Sequence, residues 1–330
     1  MRPEGTKCEN TRGESEREEN MAPFLSVIVP LYNEELVINE MYKRLTRVLE
    51  GNQLDYEIVM INDGSTDQTL AMAKELACMD MRVKLISFSR NFGHQIAVTA
   101  GMDKANGQVV VTIDADLQDP PEIIPEMIEK WKKGSHVVYG VRQKRKGESI
   151  FKLATAAMFY RLLRKMTSIN IPVDTGDFRL MDRKVVDHLK IMRERSRFVR
   201  GIVSWVGFRQ DKVEYVRECR FAGETKYPFK KMLKFALDGI LSFSQIPLKL
   251  ASVVGFLCSI LSFIFFVYGF MVKIFFPERA IMGWASIFVA VLFVGGVQLM
   301  CVGILGEYIG RIYEETKGRP LYIIDEEQNF

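Results

Sequence analysis

Along the first half of the chain, short apolar runs alternate with stretches in which apolar positions recur every three or four residues. Phe24–Pro30 (FLSVIVP), Tyr56–Asn62 (YEIVMIN), Val83–Ser87 (VKLIS), Val109–Asp114 (VVVTID) and His136–Val141 (HVVYGV) have the length and content of buried strands. Helical periodicity fills the intervals near 34–50, 67–77, 92–105 and 122–133. Strands that are apolar throughout and alternate with helices predict an α/β domain with a parallel-core sheet covered on both faces. Ligands of such sheets bind beyond the carboxyl ends of the strands. Polar clusters stand there: Tyr32-Asn33-Glu34 after the first strand, Asp63-Gly64-Ser65 after the second, Asp114-Ala115-Asp116 after the fourth.

The C-terminal third follows another pattern. Leu250–Val272 and Trp284–Gly306 are uncharged runs of 23 residues each. As helices each would reach about 35 Å, enough for a hydrocarbon core of about 30 Å. The short connection makes them a transmembrane hairpin, with spans over 248–274 and 284–308 and both flanks on one side. Lys230, Lys231, Lys234 and Lys249 precede it and Arg311, Lys317 and Arg319 follow, which places that side in the cytoplasm. Residues 229–246 set lysines against apolar positions at helical spacing. Such a helix lies along the membrane surface or packs on the globular domain. Glycines 295, 296, 303, 306 and 310 allow close helix approach, within the hairpin or in a homo-oligomer.

Residues 1–20 contain no apolar run and read as a disordered tail. The predicted organisation is then an α/β domain over 21–228, the surface helix over 229–246, two spans within 247–310, and a cytoplasmic tail over 311–330. The net charge of +4 on 330 residues is too small to argue for a nucleic-acid partner, and none is expected. Five cysteines without CxxC spacing read as reduced thiols on the cytosolic side or as small hydrophobes in a membrane, not as a disulfide framework. The three histidines form no HExxH pair, which disfavours zinc hydrolysis.

Asp114-x-Asp116 carries the most chemistry. Two carboxylates leaving a buried strand need a counter-charge. A divalent cation chelated by a diphosphate supplies it, since Mg²⁺ is commonly held by one or two carboxylates plus phosphate oxygens. Asp63, at its strand end, suits a base or ribose donor, and Tyr32 and Glu34 offer a nucleotide an aromatic face and a carboxylate. Arg142, Lys144, Arg145 and Lys146 read either as a solvated loop or as a contact for anionic head groups. His94, at a helix start, is either a donor contact or an ordinary capping-turn histidine.

VPLYNEE, VMINDGSTDQT and VVTIDADLQDPPE resemble the family 2 glycosyltransferases of GT-A fold. SFSRNFGHQIAVTAGMDKA, YGVRQKRKGES, DTGDFRLMDR and RFAGETKYPFKKMLKFALDGI narrow the likeness to polyprenyl-phosphate glycosyltransferases: the bacterial undecaprenyl-phosphate glucosyltransferases and the dolichol-phosphate mannose synthases. The resemblance spans Phe24 to Gly318. It implies that Pro30, Tyr32, Glu34 and Asp63 hold the nucleoside of a UDP-sugar. Asp114, Ala115 and Asp116 form the donor turn, with Mg²⁺ or Mn²⁺ on the two carboxylates and Gln118 as a nearby metal or acceptor contact. Arg220 and Lys226 match a basic pair around the phosphates, and Asp177 matches the catalytic base. That last role sits uneasily with an acceptor phosphate whose second pKa is near 6 and which is already largely dianionic at pH 7.

The reaction so implied is inverting transfer of a hexose, glucose foremost, from a UDP-sugar to undecaprenyl phosphate at the cytoplasmic membrane. A processive polysaccharide synthase would share the nucleotide site, but no Gln-x-x-Arg-Trp stretch occurs. A membrane adaptor with a nucleotide-binding domain is the non-enzymatic alternative, and the intact Asp63, Asp114, Asp116 and Asp177 weigh against it.

Overall fold

The structure is a computed structural model that describes residues 22–142, 175–195, 197–216, 246–275 and 284–330. The predicted tail over 1–20, Lys144, Arg145, Lys146, Arg220, Lys226 and nearly all of the predicted surface helix lie outside the described residues. The chain divides into two units. One contains the sheet together with Pro320–Phe330, and the other contains the two long helices.

The sheet unit opens with β1 (Leu25–Leu31), α1 (Ile38–Gly51), β2 (Tyr56–Asn62), α2 (Thr69–Met79), β3 (Val83–Phe88), α3 (His94–Lys104) and β4 (Val109–Thr112). A 3₁₀ turn at Pro121–Ile123 leads into α4 (Ile124–Lys132), followed by β5 (Val137–Arg142). Then come β6 (Thr175–Asp182), α5 (Arg183–Ile191), α6 (Val199–Trp205), β7 (Gln210–Tyr215) and, at the far C-terminus, β8 (Ile324–Gln328). The eight-stranded sheet has the order β7-β5-β6-β4-β1-β2-β3-β8. Its centre, β4-β1-β2-β3, is parallel. β6 runs antiparallel between β4 and β5, and β8 runs antiparallel on β3. The expected parallel core is present, inside a mixed sheet.

Every residue of β1, β2 and β4 is buried, as strands flanked by helices on both faces must be. The helices turn one stripe inward: Ile38, Met41, Leu45 and Leu49 on α1, and Val185, Val186 and Leu189 on α5. Asp182 caps α5 by accepting from the Lys184 N–H at 2.9 Å. α3 is buried from Ala97 through Met102. Its Gly101 lies so close to β1 that a Cβ there would stand 2.4 Å from Ile28 Cγ2. That close approach seats the helix whose first turn enters the site.

Pro30 sits inside β1, as the run Phe24–Pro30 predicts, paired with Ile61 of β2. It is tolerated because the β1–β4 ladder ends at Ile28–Thr112. Ile28 and Pro30 face the same side, so the missing N–H falls where no β4 partner remains.

The segment expected as a C-terminal tail contains β8. Its carboxylates meet lysines from two helices: Glu326 pairs with Lys74, and Glu327 with Lys104 at 2.7 Å. Tyr322 stacks on Phe88 with ring centroids 5.2 Å apart and donates to Asp103 at 2.8 Å. Asn329 donates to the carbonyls of Ala77 and Val83.

In the second unit, α7 (Ile246–Phe275) and α8 (Trp284–Thr316) pack on each other and are long and apolar enough to cross a membrane. The second helix runs past the predicted end at 308. Leu250, Val253, Phe256, Phe263, Val291 and Leu299 are among the apolar side chains exposed along them, the pattern of a lipid-facing surface rather than a water-facing one. Ser252 and Ser259 return their hydroxyl protons to carbonyls four residues earlier, which satisfies polar groups within the helix. Cys78, Cys258 and Cys301 are free thiols, as expected.

Candidate active site

The turns after β1 and β2 are joined by side-chain-to-backbone hydrogen bonds. Ser65 Oγ accepts from the Asn33 N–H at 3.0 Å, and Thr69 Oγ1 from the Glu34 N–H at 2.8 Å. In return Asn33 accepts from the Thr66 N–H, and Glu35 from the Gln68 N–H, both at 2.9 Å. Tyr32, half exposed, and Glu34 therefore stand on a rigid double turn beside Asp63.

Asp63 itself is buried. Its Oδ1 accepts from the Phe92 N–H at 2.6 Å and its Oδ2 from the Gly93 N–H at 2.9 Å. Burial pushes its carboxyl up, and those two donors pull it back in part. Gly64, at φ +64°, packs against the same loop. The expected nucleoside contact is thus also the anchor of the segment leading into α3.

β4 ends at Thr112, two residues before the acidic pair, rather than at Asp114. Asp114 and Asp116 are partly exposed, while Ala115 and Leu117 between and beyond them are buried in the core. Leu117, at φ +58°, turns the backbone, and Asp116 Oδ1 accepts from the Gln118 N–H at 3.2 Å. Asp119, almost fully buried, accepts from the Tyr215 hydroxyl and lies 3.4 Å from Arg142 Nη2. Arg142 also donates to the Tyr215 hydroxyl at 3.2 Å. Of the two readings for Arg142, neither a solvated loop nor a head-group contact describes it: its guanidinium serves this internal cluster.

The Asp114 carboxyl is pushed up to about 6, by burial first, with His94 opposing and Asp177, Asp119 and Asp116 adding to the rise. A carboxylate so placed gains from a cation. Among the described residues no three potential ligands converge. Two carboxylates on one turn would suit a cation that takes the rest of its shell from a diphosphate.

Asp177, on β6, joins the elements. Its side chain faces opposite Phe178 and Leu180, which enter the core. Arg200 Nε donates to its Oδ1 at 2.8 Å and Nη2 to its Oδ2 at 3.3 Å. Gln95 Nε2 donates to Oδ2 at 3.2 Å, and His94 Nε2 lies 3.2 Å from the same oxygen. His94 Nε2 is also 3.5 Å from Asp114, so it bridges the two carboxylates. Burial lowers the imidazole pKa, but the Asp114 and Asp177 charges outweigh it and raise the value to about 9. For Asp177 burial acts upward, and Arg200 and His94 override it, holding the carboxyl well below the usual range.

The structure thus brings Asp114 and Asp177 together through His94, with Asp63 bound to the residues just before that histidine. Arg200, Gln95 and Arg179 escaped the sequence reading. Arg179, two residues after Asp177 on the same strand face and 3.6 Å from it, had a signal in the Asp-x-Arg spacing. Arg200 sits in the basic stretch RERSRFVRG and had none.

An acidic strand-end cluster on a mixed α/β sheet is the core arrangement of GT-A type transferases, and the same chain carries two membrane-length helices. The glycosyl transferase family 2 profile matches residues 26–190, and the chain belongs to that family. It is 59% identical to the uncharacterized glycosyltransferase YkcC of Bacillus subtilis, over 91% of this chain and 92% of that one. It is 45% identical to the prophage bactoprenol glucosyl transferase homolog of Escherichia coli K12, over 91% and 98% of the two chains. It is 44% identical to the bactoprenol glucosyl transferase of Shigella phage SfV, over 92% and 99%. Among solved structures, glucosyl-3-phosphoglycerate synthase from Mycobacterium tuberculosis aligns with 73% of this chain and 82% of its own, at 19% identity and TM-score 0.46.

Proposed function

We propose that the protein transfers glucose from UDP-glucose to undecaprenyl phosphate, held in the cytoplasmic membrane by its two long helices with the sheet unit in the cytoplasm. The observation that carries this reading is the extent of the likeness to bactoprenol glucosyl transferases. It covers 91–92% of the chain and so takes in the long helices as well as the family 2 portion.

In this reading a lipid phosphate oxygen attacks the anomeric carbon, the bond from that carbon to the UDP oxygen breaks, and UDP leaves. A single displacement converts an α-linked donor into a β-linked lipid-phosphate sugar. Tyr32, Glu34 and the Asp63 turn, following Pro30 on β1, receive the nucleoside. Asp114 and Asp116 hold a divalent cation, Mg²⁺ or Mn²⁺, with Ala115 and Gln118 shaping the turn around them. When bound, the cation supplies Lewis-acid stabilisation to the diphosphate. Arg220 and Lys226 are proposed partners for phosphate charge.

Asp177 acts here by position and charge rather than as a base. A carboxylate has about four lone-pair sites, and Asp177 already accepts from Arg200 twice and from Gln95 and His94. Taking up a proton would cost it those partners, and a dianionic acceptor has no proton that must be removed. Its role is to hold two cationic side chains beside the metal turn, a preorganised electrostatic device.

The test uses full-length protein in lipid nanodiscs with undecaprenyl phosphate, Mn²⁺ and radiolabelled UDP-glucose. Label entering the organic phase, and lost on chelation or in Asp116→Asn, is expected. Transfer that survives both treatments would refute the metal-site assignment.

A further inference from the structure

Gln95 belongs to none of the groups assigned above to substrate or cation, yet its amide spans two elements of the site. Its Oε1 accepts from the Val199 N–H at 3.0 Å, and its Nε2 donates to Asp177 Oδ2 at 3.2 Å. Neither partner can exchange roles. A backbone N–H only donates and an ionised carboxylate only accepts, so the amide's orientation is set by the network. Val199 is the first residue of α6 and Arg200 the second. The bond to Val199 therefore fixes the start of the short helix that delivers the guanidinium to Asp177. The other end of the preceding loop is pinned separately: buried Arg197 donates to the Leu189 and Met192 carbonyls at the end of α5.

We propose that Gln95 is a positioning residue of the transfer reaction, acting through Val199 and Asp177 to seat Arg200 at the site. This rests on the transfer reading above. The chemistry at position 95 is narrow. Glutamate would still accept from Val199 but would set a second negative charge against Asp177. Methionine keeps the length and leaves the Val199 N–H without its acceptor.

The experiment is a double-mutant cycle on the full-length protein in nanodiscs, with turnover, UDP affinity and thermal unfolding measured for each variant. Gln95→Glu is expected to lower kcat about ten-fold or more, since small misplacements at a reacting centre carry losses up to about 100-fold. UDP affinity stays within about two-fold of wild type, because the nucleoside is assigned to the ends of β1 and β2. In the Arg200→Ala background the same change adds less than about two-fold, because coupled sites are not additive. A purely structural role would lower the unfolding temperature and multiply across the cycle. If Gln95→Glu does not fold, Gln95→Met is read in the same cycle with the same expectations. Wild-type turnover in Gln95→Glu, or full multiplication with Arg200→Ala, overturns the proposal. Asp116→Asn, measured alongside, reports on the transfer reading alone: its loss of turnover with an unaffected Gln95→Glu removes the positioning role and keeps the reaction.

Discussion

Gly64 connects the fold to the proposed nucleotide side of the site, and replacing it with alanine perturbs both. Its φ of +64° is left-handed, and a Cβ there would lie 2.5 Å from both the Arg90 carbonyl carbon and the Asn91 nitrogen. These are backbone atoms, so no side chain can rotate away. The left-handed conformation costs about 1 kcal/mol for a non-glycine residue, and relieving the overlap adds about 1–3 kcal/mol. The total is about 2–4 kcal/mol. Relief requires Arg90 and Asn91 to retreat, which pulls Phe92 and Gly93 from the Asp63 carboxylate and disturbs His94 behind them. Gly134→Ala is the control. It has φ +95°, but its Cβ would meet only Arg209 Nη1 at 3.7 Å, so it carries strain without overlap. Chemical denaturation of both variants, with UDP affinity by calorimetry, separates the two contributions. Gly64→Ala should cost about 2–4 kcal/mol and bind UDP more weakly than wild type, whereas Gly134→Ala should leave UDP affinity unchanged. Wild-type stability and wild-type UDP affinity in Gly64→Ala would refute the packing of this loop on the Asp63 turn.

Other expectations follow from the same geometry. Ending the chain after Arg319 uncovers the β3 edge and removes the Glu326 and Glu327 pairs; thermal unfolding should fall and light scattering rise, because exposed edges associate. Unchanged behaviour would mean β8 contributes nothing to the unit. His94 has a raised pKa, so its contribution to stability is fully present below its unfolded value of about 6.5 and is lost as pH rises through about 9. Replacement by glutamine should remove that alkaline decline from a stability–pH profile, and a profile identical to wild type would contradict the bridging role. Asp119→Ala leaves the Arg142 guanidinium without its carboxylate and should cost about 3 kcal/mol in a denaturation experiment. A loss under about 0.5 kcal/mol, typical of surface changes, would contradict it.

What the sequence disclosed follows from where each signal resides. β1 and β2 are legible because seven consecutive buried residues leave little else for such runs to be. β6 (TGDFRLMD) reads as polar because Asp177 and Arg179 occupy the face turned to the site, and only Phe178 and Leu180 betray the alternation. β8 (IDEEQ) contradicts strand propensity, and its carboxylates are matched by lysines more than 200 residues away. Strand-end position is what singled out Asp63, Asp114 and Asp116 as candidates. The partners of Asp63 are backbone N–H groups 29 and 30 residues on, which have no sequence signature. Arg200 looks like any solvated arginine until α6 and β6 are placed side by side.

The most direct measurement of the central claim is the identity of the lipid product. Full-length protein with undecaprenyl phosphate, Mn²⁺ and an equimolar panel of nucleotide sugars should yield, by mass spectrometry of the organic phase, undecaprenyl phosphate carrying a single hexose drawn from UDP-glucose. A polymer, a sugar from another donor, or product confined to the aqueous phase would contradict it.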